Sequence, residues 1–89
     1  MAKFDGVKGY LLLEIERKPD EITLVFRDNR FMFVSAPGGE IEVVDDGVEG
    51  GELDTVNETS DTVEVRFKNG KKLIIKSKSG QLQTDSIPE

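Results

Sequence analysis

At 89 residues, 36% of them hydrophobic, the chain has the size of one small globular domain, in which folding buries about 60–65% of the surface the unfolded chain exposes. It contains no Cys, His or Trp, which removes disulfides, thiolate metal sites, cysteine nucleophiles and the commonest general base, so the expectation is a protein that is not an enzyme and holds no cofactor or metal. A formal charge of -6 weighs against binding nucleic acid through phosphates and favours cationic partners.

The opening MAKFDGVKGY lacks the apolar run and small-residue cleavage site of a secretory signal, and no stretch has the length of a membrane span. The expectation is a cytoplasmic protein with no membrane partner. YLLLEIE, from Tyr10 to Glu16, reads as a strand whose start is apolar on both faces through Leu11, Leu12 and Leu13. After a turn at RKPDE, Ile22, Leu24 and Phe26 alternate with Thr23 and Val25, and FRDNRFMFVS carries the chain into a hairpin. A three-residue loop, Arg27-Asp28-Asn29 with Asn29 left-handed, sets Val25 opposite Phe31 and Thr23 opposite Phe33. Ile22, Leu24, Phe26, Met32 and Val34 then form the core face, while Val25, Phe31 and Phe33 make the outer face apolar as well.

A turn at Pro37-Gly38-Gly39 leads to a short strand, EIEVV. It begins an acidic stretch with seven carboxylates, Glu40, Glu42, Asp45, Asp46, Glu49, Glu52 and Asp54, whose spacing is not that of a calcium loop and reads as a solvated linker. ELDTVNE is a polar counterpart of the first strand, and NETSD a second turn. In VEVRFKNGKKLII a two-residue turn at Asn69-Gly70 would set Phe67 beside Lys72 and Arg66 beside Leu73. A three-residue loop with Gly70 left-handed pairs Val65 with Leu73 and Val63 with Ile75 instead, which segregates apolar from charged residues and is the expected register. Ser79-Gly80 leads to a last short strand around QLQ, and TDSIPE reads as a frayed tail.

Sliding the chain by 41 positions places residues 7–42 on residues 48–83 without a gap. Val7, Gly9, Leu12, Asp20, Phe26 and Gly39 meet Val48, Gly50, Leu53, Asp61, Phe67 and Gly80, and the core positions of the two hairpins coincide. The sequence therefore predicts a single all-β domain over 1–89, internally duplicated, with repeat one at 7–42, repeat two at 48–83, an acidic linker at 43–51 and a flexible tail at 84–89. Six to eight antiparallel strands with pseudo-twofold symmetry form either a small barrel or a two-layer sandwich.

Two surfaces stand out as functional candidates. The apolar outer face of repeat one, Val25, Phe31 and Phe33 extended by Tyr10 and Leu12, points to a non-catalytic protein-binding module of inhibitor or adaptor type, self-associating as a homodimer or binding another protein. The basic run after Arg66, with Lys68, Lys71, Lys72, Lys76 and Lys78, reads either as a solvated sheet edge or, through Arg66, Lys71, Lys72 and Lys76, as a site for an anionic metabolite or nucleotide.

Overall fold

Alternating apolar residues build two hairpins, and everything else is arranged around them. The computed structural model describes Phe4 and residues 6–87, with eight strands and no helix among them. The strands are β1 (Leu12–Lys18), β2 (Glu21–Phe26), β3 (Arg30–Ser35), β4 (Glu40–Asp45), β5 (Leu53–Glu58), β6 (Thr62–Phe67), β7 (Lys72–Ser79) and β8 (Gln83–Ile87). They form two antiparallel four-stranded sheets, β1-β2-β3-β8 and β4-β7-β6-β5, neither of which closes on itself.

Both hairpins adopt the register that separates apolar from polar faces. In the first, Leu24 faces Met32, Val25 faces Phe31 and Thr23 faces Phe33. In the second, Val65 faces Leu73 and Val63 faces Ile75. Gly70 has φ +85° and lets the amide of Phe67 reach the carbonyl of Lys71, at 2.9 Å, as a glycine bulge requires. The first loop differs from expectation, because Asp28 (φ 64°) and Asn29 (φ 58°) are both left-handed. These are the two residue types that enter that region at least strain.

The third hairpin strand of each half does not hand its successor to the same sheet. β4 leaves β3 to pair with β7, and β8 leaves β7 to pair with β3. Two expectations are corrected by this exchange. Residues 43–45 of the acidic stretch belong to β4, since Val43, Val44 and Asp45 pair with Ile75, Ile74 and Leu73. Thr84–Ile87 is no frayed tail but most of a strand, because β3 presents an open edge that β8 fills, burying Ser86. Pro88 and Glu89 lie outside the described residues. The QLQ strand begins late, at Gln83, and the first strand at Leu12, with Leu11 forming an isolated bridge to Glu52.

The two crossing points touch. A side chain on Gly39 would place its Cβ 2.0 Å from the carbonyl oxygen of Ser79, so only glycine fits there. The same hydrogen bonds recur in both halves. Gly9 donates to Leu53 and Gly50 to Leu12; Arg27 donates to Leu11 and Lys68 to Glu52; Ala36 donates to Asp20 and Ser77 to Asp61. Each pair is related by the shift of 41 residues, and so are the bulges at Leu12/Glu14 and Leu53/Thr55. Leu11 with Glu52, and Gly39 with Gly80, are residues that meet their own counterparts.

The inward faces of both sheets share one core. Leu12, Ile22, Leu24, Phe26, Met32 and Val34 from one meet Leu53, Val63, Val65, Phe67, Leu73 and Ile75 from the other. Each such side chain contributes about 1.5–3 kcal/mol through burial. Phe4, Val7 and Val48 join the same cluster from outside the strands. The starts of β1 and β5 are joined by backbone hydrogen bonds, Leu12 donating to Gly51 and Leu53 to Tyr10, and the rest of the open edges is screened by side chains. Ile15, Ile41 and Val43 pack on the core between β1 and β4, where Arg17 donates to Asp45 at 2.8 Å. Val56 and Leu82 do so between β5 and β8, where Thr84 donates to Glu58 at 3.0 Å.

Candidate protein-interaction surface

Cross-strand neighbours share a sheet face, so the registers fix what each sheet shows to solvent. On the first sheet one row runs Glu14–Val25–Phe31–Ile87 and the next Glu16–Thr23–Phe33–Asp85. Val25, Phe31, Phe33 and Ile87 therefore adjoin. The two phenyl rings stack with centroids 6.2 Å apart and planes 19° from parallel, a geometry that favours aromatic pairs. Ile87 is 52% exposed and enlarges the patch. Beside it a groove of about 340 Å³ is lined by Glu21, Phe33, Ser35, Gln83, Thr84 and Asp85.

Two of the residues read from the sequence lie elsewhere. Leu12 is 1% exposed and sits in the core opposite Phe26, because the bulge before Glu14 turns it inward; Leu13 takes the solvent position, 53% exposed. Tyr10 packs against the core, with the Arg30 guanidinium 4.0 Å above its ring centre. Such a cation–ring contact contributes about 0.5–2 kcal/mol and leaves Tyr10 a structural cap. Arg30 also donates to the carbonyl of Gly6, fixing the turn before β1. Nothing in TDSIPE marks Ile87, because the segment has no apolar alternation. Shifting EIEVVD by 41 positions carries the final strand through Ser86, one residue short of Ile87, so the pattern reaches its neighbour and not Ile87 itself.

The outer face of the second sheet is built from the corresponding rows. Thr55–Arg66–Lys72 is one, Asn57–Glu64–Ile74–Val44 the next, and Thr62–Lys76–Glu42 the third. Val44, 49% exposed, and Ile74 form a small apolar centre flanked by cations. Glu64 Oε1 accepts from Arg66 Nε at 3.1 Å, and its other oxygen lies 3.9 Å from Lys72. The Arg66 hydrogen bond, opposed by desolvation and helped by the charges of Arg66 and Lys72 and by Asn57, holds the Glu64 carboxyl below its ordinary value.

At the hairpin end of this sheet, Arg66, Lys68, Lys71 and Lys72 line a pocket of about 380 Å³ with Asp54, Phe67 and Gly70. Lys76 stands apart, between Thr62 and Glu42. Glu64 engages Arg66 and Lys72, whereas Lys68 and Lys71 make no ion pair among the described residues.

The remaining polar groups that could serve chemistry hold the fold. Asp45 accepts from the amides of Gly47, at 2.7 Å, and Val48, at 3.1 Å, besides pairing with Arg17. Ser77 donates to the carbonyl of Gly80, and Ser79 accepts from the amide of Glu40 at 3.0 Å. No three acidic side chains among the described residues converge as a metal site would need. Comparison with family models, with curated proteins and with solved structures gives no match to this chain.

Proposed function

We propose that the chain is a non-catalytic protein-binding module, of inhibitor or adaptor type, that self-associates through the outer face of β1-β2-β3-β8. One observation carries this reading: Val25, Phe31, Phe33 and Ile87 adjoin on the solvent side of a sheet. At the positions of Val25 and Phe31 the second sheet has Arg66 and Lys72, so the fold itself does not require apolar residues there, while at the position of Phe33 it keeps an apolar residue, Ile74. Stacked aromatics on a sheet face are favoured anchors at protein contacts, and a contiguous apolar patch on a small domain is a hazard unless covered.

The same reading takes the chain as an internal duplication folded as a two-layer sandwich. The recurrence of hydrogen bonds and bulges at a constant shift supports it, as does the meeting of Leu11 with Glu52 and of Gly39 with Gly80. In a duplicated scaffold one face is free to acquire a binding surface while the other stays charged.

Light scattering across a dilution series tests the function. The wild-type chain is expected to associate, and Phe31→Glu with Phe33→Glu to be monomeric with an unchanged circular dichroism spectrum. Unfolding of the double variant would instead make these rings part of the core. A second reading, capture of a small anion, is favoured by Lys68 and Lys71, which line the hairpin pocket and make no ion pair among the described residues. It predicts that inorganic phosphate raises the melting temperature and that Lys71→Glu with Lys72→Glu abolishes the rise.

A further inference from the structure

The charges around the patch say what covers it. On the first sheet the apolar residues are flanked by acids on both sides: Glu14 and Glu16 stand opposite Val25 and Thr23, and Asp85 stands opposite Phe33. Glu21 opens β2, with Lys18 opposite it in the register and 3.8 Å away. Placing this face on its own copy across a twofold axis would bring one acidic rim against another, and like charges across an interface cost affinity.

The outer face of the second sheet has the complementary design. Its centre is the Val44–Ile74 pair, and Arg66, Lys72 and Lys76 flank that pair in the neighbouring rows. Of the two acids in these rows, Glu64 is engaged by Arg66 and Lys72, and Glu42 stands beside Lys76, which leaves the face with an excess of cations. Because both sheets turn their inner faces to one core, these outer faces look in opposite directions. The molecule measures 30 × 27 × 20 Å, and a standard interface takes about 800 Å² from each partner, an area of the order of one broad face.

We infer that the occupant of the acidic apolar face is the basic face of a second copy, so that the chain associates head to tail rather than as a twofold dimer. Phe31, Phe33, Val25 and Ile87 of one copy cover Ile74 and Val44 of the next. Glu14, Glu16 and Asp85 meet Lys72, Arg66 and Lys76. Every copy carries both faces, so the contact is heterologous and open-ended, adding copies in line with rising concentration. This inference rests on the self-association proposed above and assigns its second half.

Two single-face variants of the full chain test it, Phe33→Glu on the first sheet and Ile74→Glu on the second. The wild-type molar mass is expected to climb with concentration without a plateau at the dimer and to fall on adding sodium chloride. Each variant alone is expected to stay at 9.9 kDa, whereas an equimolar mixture should give a species of about twice that mass, because each variant keeps the face the other lacks.

If Ile74→Glu still dimerises like the wild type and mixing adds nothing, the contact is twofold through the first sheet alone. Head-to-tail association is then wrong while self-association stands. A wild-type monomer at every concentration overturns both. Should either variant unfold, a charge reversal on exposed side chains reads the same contact. Glu14→Lys with Glu16→Lys should weaken association about tenfold, and Lys72→Glu with Lys76→Glu in the other chain should restore it on mixing. An unchanged mass for both reversed chains would also overturn the inference.

Discussion

Gly39 and Gly50 occupy related punctuation in the chain for different physical reasons, and their substitutions should separate accordingly. At Gly50 the backbone has φ +89° with open space around a would-be Cβ, so Gly50→Ala meets only backbone strain, about 1 kcal/mol. At Gly39 the obstacle is the Ser79 carbonyl oxygen 2.0 Å away, rigid backbone at the corner where β3 passes to β4. Gly39→Ala should destabilise by roughly 2–4 kcal/mol, measured by urea unfolding, because the two crossings must separate. Equal losses at the two positions would mean that this corner yields easily. Glu64 gives a residue-scale prediction in pH. Its folded-state pKa is lowered, chiefly by the hydrogen bond from Arg66, so ionised Glu64 adds stability above its unfolded value and loses it as pH falls through and below that value. The side chain is solvated, so the effect is small. The melting-temperature gap between wild type and Glu64→Gln should be widest near neutrality and close between about pH 5 and about pH 3.

The hairpins were the most legible elements because local chemistry decides them. Asn69-Gly70 could take either of two loop lengths, but only the three-residue loop keeps Val63, Val65, Leu73 and Ile75 on one face, and that register is the one formed. The same reasoning placed Val25 against Phe31, and with it the centre of the candidate surface. Partner choice was not legible. EIEVV and QTDSI carry nothing that says β4 joins β7 and β8 joins β3, since pairing across the molecule depends on which edges the hairpins leave open. Hence the sequence reads Ile87 as tail and Leu12 as surface, although a bulge turns Leu12 into the core. The loop of the first hairpin offers an element-scale test. Asn29 holds φ 58° where its counterpart is Gly70. Asn29→Gly should stabilise the protein by about 0.5–1 kcal/mol in thermal or urea unfolding, because glycine enters the left-handed region without the steric strain of a Cβ. A loss of stability would show that the Asn29 side chain holds the loop.

At the scale of the molecule, the exchange of β4 and β8 makes the two halves interdependent. A half comprising residues 1–47 would hold β1, β2 and β3 without β8 on the edge of β3, and its β4 would have no β7 to pair with. Its apolar residues Leu12, Ile22, Leu24, Phe26, Met32 and Val34 would also lose the residues of the second sheet that share their core. Three strands and a dangling fourth bury too little to offset the entropy of ordering them. Residues 1–47 and 48–89, made separately, should therefore each lack a cooperative thermal transition. Mixed in equal amounts, they should recover the β-sheet circular dichroism of the intact chain, at a melting temperature that rises with concentration because association has replaced a covalent link. If residues 1–47 fold alone with a concentration-independent transition, the exchanged strands are decoration on a self-sufficient sheet. If they fold only as a dimer of two such halves, each supplying β4 to the other, one half is able to assemble with its own copy by strand exchange, as the proposed duplication of a self-pairing unit requires.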